Sequence, residues 1–163
     1  MKPFQDALLC HHKSNLIPEK YDYFGMLVGE WNFEWNDRNN PRIVQGEWIF
    51  SWILEGTAIQ DVFICPSRTT RLNNPQPDGE YGTTLRVYNP HTTAWDVSYI
   101  CTGHIDRLEA KKEASKIVLT KIDKNEEKWV FSDITATTFH WQNVTVLDDD
   151  TWHINADIYA TRK

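Results

Sequence analysis

The chain has 163 residues, 40% of them hydrophobic and 25% charged, the balance of a soluble globular domain that buries about two-thirds of its unfolded surface. A formal net charge of -6 argues against a nucleic-acid partner, because phosphate binding needs clustered Lys and Arg. The sequence carries no apolar run long enough to span a bilayer, no phosphate loop, no metal-ligand spacing and no cofactor motif.

Three scattered cysteines, Cys10, Cys65 and Cys101, form no CxxC pair. They read as reduced, mostly buried thiols of a cytoplasmic protein. The opening "MKPFQDALLCHHKSN" has Asp6 within its apolar run and no small-residue cleavage pattern, so no signal peptide is expected. His11 and His12 are adjacent and diverge on a helix, which does not make the spaced pair a metal prefers.

Residues 3–13 predict a short helix with Phe4 and Leu8 on one side. Pro18 suits the first turn of a second helix through "EKYDYFGML", which brings Tyr23, Phe24 and Leu27 near one face before Gly29 ends it. Residues 1–27 are thus expected to cap one end of a β-domain spanning 28–163.

From residue 30 the period becomes two. "EWNFEWN" sets Trp31, Phe33 and Trp35 against Glu30, Asn32, Glu34 and Asn36, a half-buried antiparallel strand. "GEWIFSWIL" does the same with Trp48, Phe50, Trp52 and Leu54, and "TAIQDVFIC" returns across the turn at 55–56. A polar loop with three prolines covers 66–80 and reads as a lid or a plain connection. Strands follow at 81–88 and 94–101, then near 103–109, 115–122, 127–133, 137–146 and 151–160. Turn signals about every ten residues indicate an antiparallel sandwich or barrel, and closure of a barrel removes exposed edges.

"GEW" at 29–31 resembles the Gly-x-Trp fingerprint of lipocalin-like (calycin) barrels. In that resemblance Gly29 and Trp31 open the first strand, and Arg162 in "IYATRK" crosses Trp31 at the closed end by cation–π packing. The ordered set "WILEGTAIQDVF", "YGTTLRVYNPHTTAWDVSY" and "KWVFSDITATTFHWQN" is similar to a bacterial family of lipocalin-like barrels that carries only a domain-of-unknown-function label. The resemblance covers roughly 24–162 and implies a single calycin-like barrel of about 8–10 strands with a short N-terminal helical segment. It implies no activity.

Arg86 poses the main functional question, a cation in mid-strand in "TLRVY". It faces water, pairs inside the core, or anchors a ligand carboxylate or carbonyl. Asp61 and Asp133, each among apolar residues, are the candidate partners. Trp35, Trp52, Tyr88, Trp95 and Tyr99 join Asp61 and Arg86 as candidate lining of an aromatic cavity for a small apolar or amphipathic ligand. His140 is a candidate general base, with Asp133, for an isomerase, cyclase or lyase reading. The third alternative is a filled barrel with a structural or interaction role, which includes a homodimer.

Overall fold

The computed structural model describes residues 2–163. The chain opens with a helix, α1 (Pro3–Leu8), and a two-residue strand, β1 (Leu9–Cys10); two 3-10 turns follow at Glu19–Tyr21 and Gly25–Leu27. Ten longer strands then run in order: β2 (Gly29–Asp37), β3 (Arg42–Ile53), β4 (Ala58–Cys65), β5 (Glu80–Asn89), β6 (Ala94–Cys101), β7 (His104–Glu113), β8 (Lys116–Lys121), β9 (Glu127–Ser132), β10 (Thr138–Val146) and β11 (Trp152–Arg162). Sequential neighbours pair antiparallel from β2 through β11, and β11 pairs back onto β2. The result is a closed ten-strand antiparallel barrel, with β1 as an extra strand on β3 where β2 stops. Closure leaves the ten strands without an open edge.

Alternation decides which residues fill the barrel. Trp31, Phe33, Trp48, Phe50, Trp52, Ile59, Trp95, Val97, Leu108, Leu119, Phe131, Phe139 and Ile158 are buried in one cluster. Leu54, expected on the same face as Trp52, is instead half-exposed in the 3-10 turn Leu54–Gly56. The backbone turns left-handed at Leu54 and Glu55, so the strand's facing ends at Ile53.

The expected second helix does not form. In a continuous helix the Gly25 N–H would bond the Tyr21 carbonyl. Here the Asp22 carboxylate accepts from Gly25 N–H at 2.9 Å, and Trp95 Nε1 donates to the Tyr21 carbonyl at 2.8 Å. The segment breaks into two tight turns, and Ile17, Phe24 and Leu27 still seal one end of the barrel. α1 also falls short of its expected extent and packs nothing into the core, with Phe4 75% exposed.

Glu47 points outward from β3 yet is only 4% exposed. It accepts from Arg68 through the backbone N–H, Nε and Nη2, and Lys163 Nζ lies 3.4 Å away. Glu47 therefore ties both the 66–79 connection and the C-terminus to the barrel wall. The Arg68 hydrogen bond lowers its carboxyl from an ordinary 4.5 to about 2. A folded-state value below the unfolded one stabilises the fold fully above about pH 4.5, and that contribution disappears as pH falls toward 2. Glu47→Gln is expected to lower Tm by several degrees at neutral pH and to flatten the acid loss in that window. A Tm series from pH 7 to 2 checks both.

Candidate ligand-binding site

The barrel has two unlike ends. At the sealed end the Arg162 guanidinium lies 4.2 Å from the Trp31 ring and donates to the carbonyls of Met26, Val28 and Ala136. Gly29 sits directly under that guanidinium with φ 131°, and a Cβ there would collide with Arg162 Nη1. Trp52, Tyr88 and Trp95 belong to this half as well. Trp95 meets Phe24 edge to face at 5.2 Å, and Tyr88 stacks on Tyr21 at 5.6 Å.

The opposite end holds a cavity of about 420 Å³. Trp35, Trp48, Phe63, Tyr99, Trp129 and Trp141 form its walls, and Thr84 and Ala156 also line it. The rings make a continuous ladder: Trp129 lies 5.9 Å from both Tyr99 and Trp141, and Trp48 lies 6.3 Å from Trp141. Each comes from an inward position on its strand, Trp48 from the middle of β3. The mouth is polar, with Asp37, Asn39, Gln76, Asp78, Glu80, His104, Asp106, Lys121, Asn143 and Asn155.

Hydrogen bonds hold most of this rim. Tyr99 Oη donates to Glu80 Oε2 at 2.6 Å. Burial, then the Glu80 carboxylate, push the Tyr99 hydroxyl well above its ordinary range, so it stays a neutral donor. Lys121 Nζ bridges Asp106 Oδ1 at 3.1 Å and the Glu127 carboxylate. Burial opposes its charge, but hydrogen bonds to Glu127 and Asp106 outweigh that and raise its pKa. Arg42 covers Trp35 at 5.1 Å, donates to Gln76 Oε1 at 2.8 Å and pairs with Asp78. The 66–79 connection carries a short helix, α2 (Thr70–Asn73), and is held to the outer wall by Glu47 and at the mouth by Arg42. Burial first, then the nearby Glu80 and Asp78, push the Cys65 thiol up to about 12, which makes it an inert wall residue.

Arg86 lies below the cavity floor rather than in its lining. It is 1% exposed, and its Nη1 donates to Asp61 Oδ2 at 2.7 Å. Asp61 Oδ1 accepts from the N–H of Thr84, a floor residue, at 3.0 Å. The Phe24, Phe50 and Phe131 rings stand 5.2, 5.3 and 5.8 Å from the guanidinium. Asp133 is not its partner. β9 ends at Ser132, and Asp133 is exposed with a left-handed φ of 52° where the chain bends away.

His140 shares its strand with Phe139 and Trp141, which take the inward positions, so it looks outward. Its Nε2 meets Asp157 Oδ1 at 2.7 Å, and its ring stacks on Tyr159 at 4.6 Å. Burial pushes the Asp157 carboxyl up, but hydrogen bonds from His140, Arg38 and Gln142 outweigh it and hold the group below its ordinary value. Neither His140 nor Asp133 stands at the cavity. No cluster of His, Cys, Asp and Glu that could hold a metal occurs among the described residues.

Of the residues singled out from sequence as ligand-binding, Trp35 and Tyr99 line the cavity. Asp61 and Arg86 sit beneath it, while Trp52, Tyr88 and Trp95 lie in the sealed half. Trp48, Phe63, Trp129 and Trp141 were not among those candidates, although all four fall at inward-compatible alternate positions. Glu80, Asp106 and Lys121 gave no sequence signal, because charged residues at strand ends are commonplace.

No protein-family model and no curated protein matches the chain. Among solved structures it is similar to a redesigned beta barrel: the match covers 85% of this chain and 92% of that one, with a TM-score of 0.45 and 11% sequence identity. Barrel closure here rests on the strand pairing itself. No helix among the described residues is long and apolar enough to cross a membrane.

Proposed function

We propose that the chain is a lipocalin-like binding barrel that takes up one small, partly apolar ligand at its open end. The observation that carries this reading is the 420 Å³ cavity with six aromatic walls and a polar mouth. That is the size and chemistry of a small-molecule site, with an apolar body to stack against and a few polar groups to orient it. The Gly29, Trp31 and Arg162 arrangement supports the lipocalin-like kinship, and the three free cysteines support a cytoplasmic setting.

Native mass spectrometry of protein purified from cells is the first test, and a retained small molecule is the expected result. Calorimetric titration with phenylbutanol, a neutral ring-and-chain probe, is the second. Trp129→Ala is expected to weaken that binding about tenfold, the value of one aromatic contact in a dry wall. A bare mass together with no phenylbutanol heat would count against a site for a neutral apolar ligand at this end.

A further inference from the structure

Resting on that reading, we infer that the ligand is an organic cation, an amine or quaternary ammonium on an apolar body, held with its charge at the acidic mouth and its body between the rings. Four carboxylates, Asp37, Asp78, Glu80 and Asp106, line the cavity against one ammonium, Lys121. The neighbours that pair with them, Arg42 and Glu127, add one charge of each sign and leave the excess of three negative charges intact. His104 Nε2 lies 2.6 Å from Asp106 Oδ2.

Each cation present already has a carboxylate partner, although Arg42 Nε and Arg86 Nε have no hydrogen-bond acceptor among the described residues. Lys121 is shared by Asp106 and Glu127, and Arg42 by Asp78 and Asp37. Arg86, the group best suited to a carboxylate, is closed off beneath the floor by Asp61. Glu80 differs from the other carboxylates. Among the described residues no cation forms a salt bridge with its carboxylate, although Arg71 Nη2 donates to its backbone carbonyl at 3.4 Å; its one side-chain partner is the Tyr99 hydroxyl, on a ring that also touches Trp129 and Phe63. A carboxylate beside electron-rich ring faces is the pairing that holds an alkylammonium group.

A separate feature points to an occupant. Trp48 lines the cavity, is 4% exposed, and its indole N–H has no acceptor among the described residues. Buried donors are nearly always satisfied. The ring face or an oxygen of a bound molecule would meet this one.

The test compares three probes with a common body: phenylbutylamine, phenylbutanol and phenylbutyrate, titrated calorimetrically into the full chain at neutral pH and low salt. The amine is expected to bind at least about tenfold tighter than the alcohol, and the carboxylate more weakly than either. Added salt is expected to narrow the gap between amine and carboxylate. Glu80→Gln is expected to bring the amine to within about threefold of the alcohol, with a melting curve to show that the variant is folded. Equal or tighter binding of the carboxylate would overturn the cation inference and leave the binding reading standing. Silence from all three probes would overturn both. The wild-type comparison decides the matter even where the variant fails to fold.

Discussion

Arg86→Met is expected to destabilise the barrel by about 3–5 kcal/mol, the cost of leaving one member of a buried ion pair without its partner. For a chain of this size that is a fall in Tm of roughly 10–15 °C. The carboxylate left behind, Asp61, is 1% exposed and has only the Thr84 N–H to stabilise it. Removing both charges acts differently. Attraction within such a pair barely repays the desolvation of its members, so Asp61→Leu with Arg86→Met is expected to recover most of the loss. Recovery stops short of complete, because Thr84 N–H loses its acceptor, worth about 1–3 kcal/mol when buried. Denaturant titrations of the two singles and the double check the cycle. A wild-type Tm for Arg86→Met would show that the pair does not hold the floor. A double variant no better than the worse single would show that the polar pair specifies the packing around it rather than merely tolerating burial.

The barrel was legible because its signal is repeated. Trp31, Phe33 and Trp35 alternate with polar residues, Trp48, Phe50 and Trp52 do the same, and each apolar row needs one buried face. That Arg86 lies inside could be posed but not decided, since a strand carries an arginine equally well on its wet face. The answer depends on Asp61 arriving opposite Thr84 on the next strand, a register set only by folding. The expected second helix failed because propensity counted backbone partners along the chain. The Tyr21 carbonyl found Trp95 instead, 74 residues away. The mouth was the least legible part. Glu80, Asp106, Lys121 and Asp37 are unremarkable in their own segments, and only the shared end of four strands brings them into one rim.

Trp31→Ala is expected to cost about 3–5 kcal/mol, the upper range for a large core ring, because little at the sealed end can collapse into the space. Trp31 is fully buried, its Nε1 donates to the Leu27 carbonyl at 2.8 Å, and its ring meets Phe139 edge to face at 4.7 Å. Arg162 covers the other face and spends its guanidinium on three carbonyls from two loops, so Arg162→Ala is expected to cost about 1–3 kcal/mol by orphaning them. Arg162→Lys keeps a charge over the ring but not the planar fork, and should fall between. If ring and guanidinium act as one closure, Trp31→Ala with Arg162→Ala loses less than the two singles together, by about 1 kcal/mol. Additivity to within about 0.5 kcal/mol would reduce the stacking to mere proximity. The same variants separate stability from binding. The closure and the aromatic cavity occupy opposite ends of the barrel, so folded Arg162→Ala protein should bind phenylbutanol as the parent does. A matching loss of affinity would mean that the sealed end sets the shape of the open one.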